Sequence, residues 1–164
     1  MADSSLTIRK ARAADGNTIL TLIRALADFE KLDPPDEAAQ QRLLNDAFGE
    51  RPRFDVFLAE SGSEVVGYAF VFETYSTFLA RPTLYLEDLF VLPGYRQQRV
   101  GFELFRYCAA EAARRGCGRM EWTVLDWNSN AINFYERQGA RHLSEWLHYR
   151  LDETILAQFI EQPD

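Results

Sequence analysis

The sequence predicts an α/β fold built on a mixed sheet, and three observations carry that expectation. Strand-like and helix-like runs alternate along the 164 residues. Three strand runs in the middle of the chain follow one another with only turn residues between them, which makes an antiparallel meander. Helical segments precede and follow that block, so helices on both faces of one sheet are expected.

Each element has its own warrant. Leu6 to Ala11 (LTIRKA) alternates apolar and polar residues as a strand does. The next segment repeats apolar residues at Ile19, Leu22, Ile23, Leu26 and Phe29, the spacing of an amphipathic helix, with Asp15 placed to cap it. Asp33-Pro34-Pro35 ends that helix, and a second runs from Asp36 to near Gly49. The strand runs are FDVFLAE, VVGYAFVFETY and TLYLEDLFVLP; SGSE joins the first two as a tight hairpin and Arg81-Pro82 punctuates the third. A helix over Val100 to Arg115 puts Val100, Leu104, Cys108 and Ala112 on one face, with Arg114 and Arg115 in its last turn and Gly116 just beyond. RMEWTVLDW reads as a strand, NSNAINFYERQG as a short helix ended by glycine, ARHLSEWLHYRLD as a final strand and ETILAQFIE as a closing helix. The expected order is β-α-α-β-β-β-α-β-α-β with a C-terminal helix. Without a linker, repeat or low-complexity stretch, residues 1–164 read as one domain.

A formal charge of −7 argues against a nucleic-acid or anionic-membrane surface and fits a small cationic partner better. Cys108 and Cys117 form no disulfide framework and no zinc spacing, so no metal is expected. MADSSLTIRK carries no apolar targeting core and no long apolar run follows, so a cytoplasmic protein is expected.

The segment Tyr95 to Phe105 (YRQQRVGFELF) has the shape of a loop turning into a helix, whose leading amides and positive dipole end suit a phosphate. YLEDLFVLPGYR followed by WNSNAINFYERQGA resembles the GNAT N-acetyltransferase superfamily, and within it the diamine (spermidine/spermine) and thialysine acetyltransferase branch. The likeness extends over nearly the whole chain, including LTIRKARAAD and LIRALADFEKL. The resemblance implies the GNAT fold, acetyl-CoA as co-substrate, a small cationic amine as acceptor and a homodimer. The superfamily's loop reads Arg or Gln, two residues, Gly, one residue, then Gly or Ala. Arg96, Val100 and Gly101 match, while Arg99 stands where the first glycine belongs. If Arg99 is helical in φ, arginine is tolerated there; a positive φ would cost it about 1–2 kcal/mol.

The chemistry asks for more than a phosphate cradle. An alkylamine near pKa 10.4 is neutral in only about one molecule in a thousand at pH 7, so acetyl transfer gains from a base. Glu87 and Asp88 lie on opposite faces of a regular strand, which would let at most one line a given cleft. By resemblance both belong to the amine site, with Glu87 the expected proton acceptor; a plain exposed strand-end carboxylate is the alternative. A main-chain N–H of Leu89, Phe90 or Val91 could serve an oxyanion if the strand is bulged or splayed. The resemblance implies that splay, and pairing of these residues with the pantetheine arm. It further implies Arg96, Gln97, Gln98, Arg99, Val100, Gly101 and Phe102 around the pyrophosphate, with Asn128 and Asn133 helping to hold the cofactor. Asn128 could equally be a helix cap. Tyr135 matches the family's general acid, against the alternative of an amphipathic core tyrosine. Phe29 and Glu30 match acceptor-cleft positions, and Glu145 aligns loosely with another acidic contact. His142 and His148 lack ligand spacing and read as structural. Two further readings stay open: an acetyltransferase acting on a peptide or protein amine, and a non-catalytic CoA-binding dimeric module.

Overall fold

Strands β1 (Leu6–Lys10), β2 (Asp55–Ser61), β3 (Glu64–Ser76) and β4 (Arg81–Val91) pair antiparallel in chain order, and β5 (Arg119–Glu121) joins β4 in parallel. The computed structural model describes residues 5–161. Residues through Thr123 form one compact unit that holds the whole sheet, and the chain from Val124 onward forms a second.

Helix α1 (Gly16–Glu30) and helix α2 (Glu37–Phe48) lie between β1 and β2, and α3 (Val100–Arg114) lies between β4 and β5. The sheet is covered on both faces, as its alternating burial requires. On one face Val100, Leu104, Cys108 and Ala112 of α3 pack onto Phe57, Ala69, Val71, Leu84 and Leu86. On the other, Ile19 and Leu22 of α1 pack onto Val56, Leu58, Tyr68 and Phe90. Leu104 is fully buried, so truncating it to alanine would cost about 2–5 kcal/mol.

The helices begin and end where local chemistry directs. Asp36 caps α2 by accepting from the Ala39 amide at 2.8 Å. Gly116 beyond α3 has φ +71°, the left-handed residue expected there. Asp15 does not cap α1 with its side chain. Its carboxylate instead takes the Arg9 guanidinium and the Arg12 amide, closing the short 3-10 turn Ala13–Asp15 that precedes the helix. An arginine on β1 outcompetes the helix for the carboxylate.

In the second unit, α4 (Ser129–Arg137) is capped by Asn128, whose side chain accepts from the Ala131 amide at 3.2 Å, and α5 (Glu153–Glu161) closes the described chain. Two expectations need correction. Of RMEWTVLDW only Arg119–Glu121 pairs as a strand. ARHLSEWLHYRLD forms no strand among the described residues, although its side chains alternate. Alternation marks a capacity to pair, and it becomes a strand only where a neighbouring edge accepts the hydrogen bonds.

One close approach fixes how β3 meets β4. A Cβ added to Gly67 would sit 2.7 Å from the Phe90 carbonyl oxygen, a backbone atom that cannot swing aside. Gly67→Ala is therefore expected to destabilise the protein by about 1–3 kcal/mol, an overpacking penalty that chemical denaturation would measure.

Candidate active site

The β3–β4 register changes at one point, and the candidate site is built around it. Phe70 pairs with Asp88 and Val71 with Leu86, so Glu87 is an extra residue bulged out of β4. The bulge resets the side-chain alternation. Leu84 and Leu86 lie in the α3-side core before it, and Leu89 and Val91 pack against that same core after it. Asp88 and Phe90 consequently face α1, and Glu87, the neighbour of Leu86, turns to that side as well. The expectation that Glu87 and Asp88 occupy opposite faces is overturned, because a bulge places two consecutive residues on one side.

Asp88 is half-buried and accepts a hydrogen bond from the Tyr68 hydroxyl at 3.0 Å. Burial pushes its carboxyl up to about 6, opposed by the Tyr68 hydrogen bond and reinforced by the negative charges of Glu87 and Glu30. Glu30, at the end of α1, is also raised by burial. The same carboxylates, after burial itself, push the Tyr68 phenol far above its ordinary range. Glu30, Glu87 and Asp88 thus share one acidic neighbourhood, and among the described residues none of them has a Lys, Arg or His partner.

Beside these carboxylates the outer edge of β4 pairs with no strand among the described residues. Its pairing with β5 covers only Thr83, Leu84 and Tyr85. The Phe90 carbonyl points toward Gly67, and the Leu92 amide donates to the Val66 carbonyl at 2.9 Å, so even-numbered residues here direct their main-chain groups at β3. Alternation then directs those of Leu89 and Val91 outward. Phe90 is corrected as an expected main-chain contact: its peptide groups belong to the β3 ladder and its side chain to the core.

Arg96 occupies part of the outward edge. Its Nε donates to the Val91 carbonyl at 2.9 Å, and its guanidinium lies over the rings of Phe29, at 4.8 Å, and Phe90, at 5.6 Å. The start of the loop is thereby tied to the end of α1, where Phe29 and Glu30 sit. Gln98 folds back to the Gly94 carbonyl, and Tyr95 reaches Glu64 on β3.

The first i→i−4 bond of α3 runs from the Glu103 amide to the Arg99 carbonyl, so the amides of Val100, Gly101 and Phe102 lie ahead of it, and Arg99 offers them no side-chain cap. Arg99 has φ +65° and Gln97 φ +62°. The condition for a strain-free arginine is not met; the left-handed conformation costs Arg99 about 1–2 kcal/mol. Its guanidinium lies 4.7 Å from the Phe102 ring centroid and 3.8 Å from Glu103. Gly101 needs no glycine for the chain's own sake, since an added Cβ would meet only Val91 Cγ2 at 3.7 Å. Open backbone at a helix start, with donors facing out, fits an anionic ligand.

The remaining expected residues lie in the second unit. Asn128 and Asn133 belong to the cap and first turns of α4, Tyr135 lies in its second half, and Glu145 is exposed in the segment between α4 and α5. Among the described residues no group of His, Cys, Asp or Glu could hold a metal ion.

A profile of the Acetyltransferase (GNAT) family matches residues 20–140. The chain belongs to that family. It is an acetyltransferase whose relatives carry the names of the branch its motifs resemble. A thialysine N-epsilon-acetyltransferase of Mus musculus is 39% identical over 166 residues, covering 94% of this chain and 97% of that protein. The spermidine/spermine N(1)-acetyltransferase-like protein 1 of Homo sapiens is 35% identical over 91% of this chain and 23% of its own length. Among solved structures, an integron cassette protein from the mobile metagenome of V. cholerae superposes with a TM-score of 0.81 at 23% identity, covering 96% of this chain and 99% of that one, a likeness of fold.

Tyr68 is the site residue that sequence reasoning missed. Its signal was a tyrosine inside the apolar run VVGYAFVF, whose hydroxyl needs a partner once buried. The loop geometry carries its own test. Arg99→Gly is expected to stabilise this acetyltransferase by up to about 1 kcal/mol, since roughly 1–2 kcal/mol of strain outweighs the roughly 0.4–1 kcal/mol of unfolded-chain entropy that glycine adds. Arg99→Val should instead lower the denaturation midpoint, because a β-branched side chain resists positive φ more strongly.

Proposed function

We propose that this acetyltransferase transfers an acetyl group from acetyl-CoA to a primary amine of a small cationic acceptor, a polyamine, thialysine or a similar molecule, by direct attack in a ternary complex. The observation that carries the reading is the bulge in β4, which turns Glu87 and Asp88 to one side near Glu30, with no ion pair to any of the three among the described residues. Asp15 and Asp55, half-buried like Glu30 and Asp88, do have such partners: Asp15 holds Arg9, and Asp55 holds Lys10 and Arg115. An ammonium substrate supplies the missing charge.

Acetyl-CoA supplies an activated thioester. The amides of Val100, Gly101 and Phe102 receive its pyrophosphate, with Arg96, Gln97, Gln98 and Arg99 around them, while Leu89 and Val91 offer outward main-chain groups to the pantetheine arm and to the oxygen that gains charge. Asn128 and Asn133 assist in holding the cofactor, although the Asn128 side-chain oxygen already serves as the α4 cap. Glu30, Asp88 and Phe29, with Glu145, hold the cationic acceptor. Glu87 removes a proton from the ammonium, directly or through water, and the Tyr135 phenol returns one to the departing thiolate. The wider reading is a cytoplasmic homodimer acting on small molecules, with neither nucleic acid nor membrane as partner. The exposed apolar residues Ile155, Leu156, Phe159 and Ile160 of α5 suit burial against a second copy.

The deciding experiment measures CoA release with spermidine, thialysine, lysine and short peptides. Turnover with the small diamines is expected; turnover confined to peptides would move the acceptor to a protein amine, and none with any amine would favour a non-catalytic module. Glu87→Gln should lower kcat by roughly 10²-fold or more, with the deficit growing as pH falls and more amine is protonated. Tyr135→Phe should lower kcat to a similar extent while leaving the acetyl-CoA isotherm intact. Gly101→Pro, which deletes one amide within the first helical turn, should abolish that isotherm, whereas Arg99→Gly should preserve it.

A further inference from the structure

Tyr68 is buried with no exposed surface, on the α1-facing side of β3. It pairs across the ladder with Phe90, which makes Asp88 its diagonal neighbour, and its hydroxyl is within 3.0 Å of Asp88 Oδ2. Phenylalanine would fill the same core volume without the cost of desolvating a hydroxyl, which is offset here only by a hydrogen bond. The polar atom is therefore explained by the carboxylate it meets.

We propose that Tyr68 is a positioning residue for amine acetylation: from inside the sheet it donates its phenolic proton to Asp88 Oδ2, keeping that carboxylate ionised and oriented, with Oδ1 left for the incoming ammonium. The proposal rests on the small-amine reading above and extends it into the core. The groups that act on Asp88 come from three elements: Glu30 from α1, Glu87 from β4 and Tyr68 from β3. Glu30 and Glu87 both raise the carboxyl; Tyr68 alone lowers it. Arg96, whose guanidinium lies over the Phe90 ring, is engaged with the Val91 carbonyl and the rings of Phe29 and Phe90. One hydrogen bond from the core thus holds Asp88 ionised against burial and two like charges.

The sign of the effect follows directly. Burial pushes Asp88 up to about 6 even with the Tyr68 hydrogen bond in place. Removing a bond that favours the charged form raises the carboxyl further, so the acidic limb of the rate profile moves to higher pH. For Tyr68→Phe the expected displacement is about one pH unit, the usual consequence of losing a hydrogen bond to a charged group.

The test uses the full chain with spermidine and acetyl-CoA and has two readouts. Carboxyl carbon NMR gives the Asp88 midpoint in the wild type and in Tyr68→Phe, and kcat/KM for spermidine is measured against pH in both. The expected result is an upward move of both by about one pH unit, a higher KM for spermidine and an unchanged KM for acetyl-CoA. Tyr68→Phe added to Asp88→Asn should produce no further change in kcat/KM. An Asp88 midpoint identical in the two proteins overturns the proposal whatever the activity. A midpoint that moves while the acidic limb stays fixed overturns the link to the reaction. A midpoint that moves in a protein unable to acetylate spermidine supports the control of Asp88 by Tyr68 and counts against the small-amine reading.

Discussion

One surplus residue in one strand organises this molecule. A strand's side chains alternate, so inserting Glu87 into β4 reverses the facing of everything after it relative to an uninterrupted strand. With the bulge, the apolar Leu89 and Val91 rejoin the α3-side core that Leu84 and Leu86 began, and Asp88 and Phe90 look toward α1. Without it, Asp88 would follow Leu86 into a core of Leu104 and Val100, where an ionised carboxylate has no partner. The bulge therefore reconciles a polar pair in mid-strand with an apolar sheet. It also decides which peptide groups reach the β4 edge beyond β5, since main-chain direction alternates with the side chains. Gly67 completes the arrangement by letting the Phe90 carbonyl come close from the next strand.

The distribution of charge follows the same division. At its C-terminal end α3 presents Arg115 to Asp55 and Glu111, with Lys10 also on Asp55, and these carboxylates are satisfied within the fold. At its N-terminal end, Gly101 lies beside Val91, and the helix opens on amides. Cations gathered at one helix end and bare donors at the other both suit the helix dipole. The acidic group formed by Glu30, Glu87 and Asp88 then differs from Asp55 and Glu111 in a definite physical respect: among the described residues no Lys, Arg or His pairs with it.

Much of this was legible in the sequence, for reasons that vary with the element. The tandem helices and α3 were readable because a 3.6-residue period sustained over several turns suits a helix and no strand. The meander was readable because Gly62 and Pro82 punctuate strongly β-branched runs. The placing of Phe29, Glu30, Glu87 and Asp88 together was reached through motif resemblance, and the facing of the last two was mistaken. Alternation assumes a constant period, and nothing in YLED marks a bulge. Tyr68 was hidden for a related reason, since a buried tyrosine reads as apolar until its diagonal neighbour is known. The 140–152 segment misled because its alternation was judged without asking which edge could receive it.

The loop ahead of α3 shows how a sequence can keep a backbone shape while abandoning the residue that normally signals it. Gln97 and Arg99 both adopt positive φ, where glycine would rest without strain. Two such residues together cost about 2–4 kcal/mol, and that strain persists only where surrounding contacts over-determine the path. Here the contacts can be named. Arg96 is fixed to the Val91 carbonyl and lies over the rings of Phe29 and Phe90, Tyr95 is held by Glu64, Gln98 closes on Gly94, and Val100 is buried in the α3-side core. Hydrogen bonds worth about 1 kcal/mol each, together with a buried valine, are of the size needed to offset the strain. The shape so held keeps the leading amides of α3 clear of side-chain caps. Glycine in this motif is therefore a simple way to obtain the turn, while the turn itself, with its outward amides, is the property on which anion binding depends.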